Sequence, residues 1–153
     1  MSRVAVIPAR GGSSRLPLKN IRPFFGKPII TYSIDTALES GLFSEVYVST
    51  EDERIAAVAA AHGAVVLHRE PALCSDDVGT QDVVRHHFAD ARFRTATHAC
   101  CIYPCAPLMT RADLSAGLQA LVSQDADFAF SVGTEPLCDA GCWYWGTAQS
   151  FRE

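Results

Sequence analysis

Between Pro8 and Asn20 the chain reads PARGGSSRLPLKN, and this run gathers the residues best suited to chemistry. Arg10, Arg15 and Lys19, with Arg22 just beyond, place cationic side chains among Gly11, Gly12, Ser13 and Ser14, with no acid between them. Glycines let backbone N–H groups come close to phosphate oxygens, hydroxyls add donors, and Arg or Lys neutralise charge that is otherwise expensive to desolvate. The expected ligand is a small polyanion. The order Gly-Gly-Ser-Ser-Arg is neither a Walker sequence nor a Gly-x-Gly-x-x-Gly dinucleotide fingerprint, so the two common phosphate loops are excluded. A solvated surface turn is the plainer alternative for the same composition.

Elements must hold this loop. Val4-Ala5-Val6-Ile7 is a short apolar run ending at Pro8, which predicts a buried strand that delivers the chain into the loop. Beyond Pro28, Ile30, Ile34, Leu38 and Leu42 recur at helical spacing. Further strands are expected at 45–49, 64–67, 99–103 and 128–132. Helices are expected over 51–62, from a cap at Thr80 with Val84 and Phe88 inward, and from a Thr110 to Asp113 capping box carrying Leu114, Leu118, Leu121 and Val122. Five apolar strands alternating with four helices imply an α/β fold, a doubly wound and mostly parallel sheet covered on both faces. Ligands of such sheets bind beyond the carboxyl ends of the strands, so the loops after the first four strands should share one crevice.

The bulk properties agree with one domain over residues 1–153. A formal net charge of −4 argues against general nucleic-acid binding, and no apolar run nears the ~18 residues of a membrane span. The N-terminus opens into a strand without a leader, and the cytoplasm is the expected compartment. Six cysteines include Cys101 and Cys105, and Cys138 and Cys142, but neither pair has zinc-ligand spacing. Reduced thiols are expected, with Cys74 and Cys105 the most accessible. His86 and His87 are expected to be structural, one of them outward.

The Pro8–Asn20 motif closely resembles the signature of the sugar-activating cytidylyltransferases, which make CMP-linked nonulosonic acids such as sialic and pseudaminic acid. The resemblance continues in VSTEDERIA (48–56), HREPALCSDDVGTQDVV (68–84) and CIYPCAPLMTRADL (101–114). It implies a Rossmann-like fold of the nucleotide-diphospho-sugar transferase type. It implies attack by a sugar's anomeric hydroxyl on the α-phosphate of CTP, with loss of pyrophosphate and help from Mg2+ or Mn2+. By resemblance, Arg10 and Lys19 act on the phosphates together with Gly11, Gly12, Ser13 and Ser14. Asn20 serves the base or ribose, unless it and Lys19 merely close the turn, and Arg69 and Thr80 contact nucleotide or sugar. Tyr103, Pro104 and Ala106 form the sugar-facing loop. Tyr103 and Met109 replace a family glutamine and arginine there, and with DADFAFSV (125–132) this favours the pseudaminic branch over the sialic one.

The resemblance also implies a dimerisation excursion and a late acidic metal motif. Instead Asp139-Ala140-Gly141-Cys142-Trp143-Tyr144-Trp145-Gly146 matches a late family strand soon after Val132, so a shortened domain is expected and a homodimer is left open. Asp52, Asp76 and Asp77 are the acids available as metal ligands, although such residues are more often solvated loop acids or turn formers. Trp143 and Trp145 are expected on one face of an edge strand, with Tyr144 on the other. Three readings follow: an active compact cytidylyltransferase, a relative that binds CTP without turnover, and a different nucleotide- or phosphosugar-binding α/β domain.

Overall fold

The first apolar run becomes β1 (Ser2–Pro8), the central parallel strand of a six-stranded sheet, as its unbroken run of Val4 to Pro8 burial requires. The computed structural model describes residues 2–153. After the glycine loop come a single 3-10 turn (Lys19–Ile21) and a small hairpin, β2 (Pro23–Phe24) and β3 (Lys27–Pro28). Then follow α1 (Ile30–Glu39), β4 (Glu45–Thr50), α2 (Glu53–Ala61) and β5 (Val65–His68). The second half comprises α3 (Thr80–Phe88), β6 (Ala96–Ile102), α4 (Arg111–Ser123), β7 (Phe128–Thr134), β8 (Leu137–Thr147) and α5 (Ala148–Arg152).

The sheet order is β5-β4-β1-β6-β8-β7, with β1, β4, β5 and β6 parallel and β8 antiparallel to both of its neighbours. The mostly parallel, doubly wound expectation therefore holds. One face buries Ile30 and Ile34 of α1, Ile55 of α2, Leu114 and Leu121 of α4, and Trp143 and Trp145. The opposite face buries Val84 and Phe88 of α3, Phe93, Phe151 of α5 and Tyr144. Strand alternation thus sends the two tryptophans one way and the tyrosine the other, as period two dictates.

Several expectations change. The Trp143–Trp145 strand is not at an edge: β8 inserts between β6 and β7, and Trp145 is fully buried, stacked on Phe43 at 5.1 Å and donating Nε1–H to Leu114 O at 3.0 Å. The edge falls to β7 instead, where Phe130 and Val132 remain 56% and 50% exposed. The turn between β7 and β8 is only Glu135-Pro136, since Thr134 pairs with Leu137. Leu38 and Val122, expected inward, lie on exposed helix surfaces. Thr80 is the first residue of α3 and not its cap. Gly79 holds that position, with its N–H donating to Asp82 Oδ2 at 3.3 Å. The Thr110–Asp113 capping box forms as read.

Candidate functional site

The carboxyl ends of β1, β4 and β5 are tied together by backbone. Ala9 N–H donates to Ser49 O at 2.8 Å, and Arg69 N–H donates to Thr50 O at 3.1 Å. With the segment after β6 they enclose a cleft of about 200 Å³. Arg10, Ser13, Lys19 and Asn20 line it from the first loop, Arg69 from behind β5, and Thr80, Tyr103 and Pro104 from the far side. The shared crevice expected of a doubly wound sheet is therefore present.

Within the loop the residues do different work. Gly11 turns its N–H to Glu51 Oε1 at 2.7 Å, and a Cβ there would lie 2.6 Å from Asp52 Oδ2, so only glycine fits. Gly12 faces open space. Ser13 Oγ accepts from Leu16 N–H at 3.3 Å, and Ser14 is exposed, outside the lining of the cleft. Leu18 adopts a left-handed conformation, φ 53°, immediately before Lys19, a strained turn that directs the chain into the 3-10 turn. Asn20 is buried, donating Nδ2–H to Arg10 O at 3.0 Å and accepting from Cys105 Sγ at 3.4 Å, so it closes the loop. Arg22 Nε bonds Pro17 O at 3.3 Å, at the surface. Ala106 is buried beneath the loop after β6.

The three acids considered as metal ligands are otherwise engaged or apart. Asp52 caps α2, accepting from Arg54 and Ile55 N–H, and pairs with Arg54 at 2.7 Å, which lowers its pKa. Asp76 pairs with Arg10, whose other terminal nitrogen donates to Cys74 O at 3.1 Å. Asp77 is exposed. Glu51 Oε2 is buried without a hydrogen-bond partner, yet no three acidic, histidine or cysteine side chains converge among the described residues. Among the described residues these side chains do not build a cradle for Mg2+ or Mn2+. Cys138 is the exposed thiol, whereas Cys74 and Cys105 are half-buried, contrary to expectation.

Arg69 is the unusual cation. It is 4% exposed, forms no ion pair with a carboxylate among the described residues, and donates Nε–H to Ser49 Oγ at 3.3 Å. Burial pushes its pKa down from the ordinary arginine value, against the opposing charge of the nearby Glu51 carboxylate, which makes no direct ion pair with it. A desolvated guanidinium lining a cleft is a standing demand for an anion. Sequence reading gave Arg69 a ligand role, whereas Ser49 entered only as part of the VSTEDERIA resemblance, with no role of its own.

A second cleft of about 430 Å³ adjoins the first and shares Thr80 and Tyr103 with it. Its other walls include Gln81, Phe128, Phe130, Asp139 and Tyr144. Thr80 Oγ1 and Tyr144 Oη lie 2.9 Å apart, and burial raises the pKa of both Tyr103 and Tyr144, keeping them neutral donors. Sequence reading brought Tyr103 here but missed Gln81 and Asp139. Phe128 and Phe130 were read only as part of a strand, and they line this cleft from β7 at the sheet edge.

Comparison with known proteins gives concordant matches. The sequence profile of the cytidylyltransferase family matches residues 4–141. A pseudaminic acid cytidylyltransferase of Campylobacter jejuni is 37% identical over 134 residues, covering 86% of this chain and 58% of that protein. A Helicobacter pylori protein, named as a pseudaminic acid cytidylyltransferase and UDP-2,4-diacetamido-2,4,6-trideoxy-beta-L-altropyranose hydrolase, is 32% identical over 186 aligned positions, covering 100% of this chain and 36% of that protein. Because this chain has 153 residues, that relative carries additional residues inside the matched region. The chain therefore spans little more than half the length of the first relative and about a third of the second. Among solved structures, CMP:2-keto-3-deoxy-manno-octonic acid synthetase complexed with CTP superposes with a TM-score of 0.78 at 21% identity, covering 99% of this chain and 76% of that one, which establishes the fold.

Proposed function

The chain belongs to the cytidylyltransferase family, and from that premise we propose that it transfers the cytidylyl group of CTP to a nonulosonic acid, pseudaminic in preference to sialic. The anomeric oxygen forms a bond to the α-phosphorus, the bond from that phosphorus to the bridging oxygen breaks, pyrophosphate departs, and the hydroxyl proton passes to solvent. The observation that carries the reading is the buried Arg69, which lacks a carboxylate partner and lines one cleft with Arg10 and Lys19. Transfer at phosphorus asks mostly for positioning and charge stabilisation, and these three cations supply both. A charge pair near 4 Å contributes roughly 4 kcal/mol at an effective dielectric of about 20. Arg10 reaches phosphate by exchanging Asp76 for it, Lys19 arrives as an unpaired ammonium, and Arg69 offers a planar fork.

The adjoining cleft suits the acceptor sugar. Tyr103, Phe128 and Phe130 offer apolar faces to C–H surfaces and acyl methyl groups, while Thr80, Gln81 and Asp139 can bond hydroxyl and amide groups. Thr80 and Tyr103 belong to both clefts, where the two substrates must meet. A divalent cation would neutralise phosphate charge when bound. No helix among the described residues is long and apolar enough to cross a membrane. The free thiols suit a reducing compartment, and we place the reaction in the cytoplasm.

The test is pyrophosphate release from CTP with pseudaminic acid, sialic acid or Kdo, beside calorimetric CTP titration. Release with pseudaminic acid above the other two is the expected result. CTP binding without release with any of the three would select the second reading, a nucleotide-binding relative without turnover. Equal binding of ATP, GTP and UTP would remove the cytidylyl assignment altogether.

A further inference from the structure

Three polar side chains from separate parts of the fold form a buried line behind the cleft. Arg69 Nε donates to Ser49 Oγ at 3.3 Å, and Ser49 Oγ lies 2.7 Å from His87 Nε2. Their exposures are 4%, 0% and 5%, so these two contacts are shielded from water. A guanidinium nitrogen can only donate, which makes Ser49 oxygen the acceptor at that contact. Where the single hydroxyl hydrogen goes to His87 Nε2, the ring proton sits on Nδ1. Burial foremost, then the charges of His86, Arg69 and Arg92 against the opposing Asp90, holds His87 in the neutral form this requires, with a pKa of about 4. If His87 Nε2 carried the proton instead, it would donate to Ser49 and leave the hydroxyl hydrogen without this acceptor.

An arginine side chain is long, and inside a protein its direction is set by what accepts from it. No carboxylate does so here among the described residues. We propose that His87, acting through Ser49, is a positioning residue for Arg69. It takes the hydroxyl hydrogen, turns the oxygen lone pair to Arg69 Nε, and so presents the rest of the guanidinium to the cleft for phosphate oxygens. This rests on the reading of Arg69 as an anion-binding group in the cytidylyltransferase cleft. The sequence assigns His87 no more than a structural role, and its neighbour His86 does point outward, 3.9 Å from Glu70.

Calorimetric titration of CTP and of inorganic pyrophosphate tests the assignment, with melting temperatures measured alongside. His87→Phe keeps the ring volume but offers no acceptor, and Ser49→Ala removes the link. Each is expected to weaken both ligands about tenfold, the scale of one misdirected hydrogen bond. His87→Gln restores an acceptor near the Nε2 position and should return affinity to within about threefold of wild type. In an Arg69→Ala background, His87→Phe should add no further loss, because coupled residues are non-additive. Wild-type affinity in both His87→Phe and Ser49→Ala would overturn the inference, as would the same loss with or without Arg69. If His87→Phe does not fold, Ser49→Ala carries the comparison alone. Undiminished binding by Arg69→Ala would instead bring down the underlying reading of that arginine, and the positioning role with it.

Discussion

At the scale of single residues, the site is defined by which charges are already answered inside the protein. Arg54 answers Asp52, Asp76 answers Arg10, and Arg69 is left buried against a hydroxyl. A buried cation that Glu51 reaches only through space, without a direct ion pair, is a liability to the empty protein and an asset once an anion arrives. Arg69→Met, which keeps the apolar stem and removes the charge, is therefore expected to leave the melting temperature equal or higher. CTP affinity should fall about 10- to 100-fold, in line with a charge-assisted hydrogen bond of about 1.5–3 kcal/mol. A variant that melted well below wild type would mean that Arg69 serves the fold more than the ligand. Cys100 and Cys101 illustrate the opposite case. Both are fully buried in β6, and burial raises both thiol pKa values, to about 12 for Cys101, so neither is poised for chemistry.

At the scale of elements, the informative feature is how closely β8 lies against α4. Gly117 on α4 faces the β8 tryptophans, and a Cβ at that position would come within 2.4 Å of Trp143 and 2.9 Å of Trp145. Trp145 cannot yield easily, stacked on Phe43 and bonded to Leu114 O. Gly117→Ala should therefore destabilise by about 1–3 kcal/mol, despite alanine's better helix propensity. The urea midpoint should fall at unchanged m-value, and an unchanged midpoint would show that the contact relaxes freely. The same packing bears on the site, because β8 carries Asp139 and Tyr144 to the second cleft. The first loop shows a comparable division, with Asn20 and Gly11 fixing the backbone and Arg10 and Lys19 left to meet the ligand.

For the whole molecule, the two cores on either side of the sheet respond differently to acid, because His87 is enclosed on the α3 face. Its pKa is about 4 in the folded protein against an ordinary 6.5, so between those values the unfolded chain binds more protons. Stability should be complete above pH ~6.5 and fall as pH drops toward 4, by on the order of 3 kcal/mol. Asp35, Asp52 and Asp90, with lowered pKa values, act in a separate window below the ordinary carboxylate value of 3.8. Urea unfolding at pH 5 and 7 separates the two effects, and His87→Gln should flatten the difference. An equal difference in that variant would assign the acid sensitivity elsewhere. At this scale the β7 edge leaves Phe130 and Val132 exposed.

Much of this was legible in the linear chain. The strand before Pro8, the basic glycine loop, the Thr110–Asp113 capping box and the alternation of apolar runs determined a doubly wound sheet with its crevice at the strand ends. Local rules suffice there, since periodicity, caps and loop composition act over a few residues. The chain order also placed Arg10, Lys19, Arg69, Thr80 and Tyr103 in loops that had to converge. What only the tertiary structure decided were matters of long-range pairing. β8 entering between β6 and β7 turned an expected edge strand into a core one, and left β7 at the edge with Phe128 and Phe130 lining a cleft. The fates of Asp52 and Asp76 were likewise set by which cation came within reach. Ser49, His87 and Arg69 are separated by many residues and carry no common motif. Their hydrogen bonds exist because β4, β5 and α3 meet at one buried point, and a contact of that kind has no periodicity for a sequence to display.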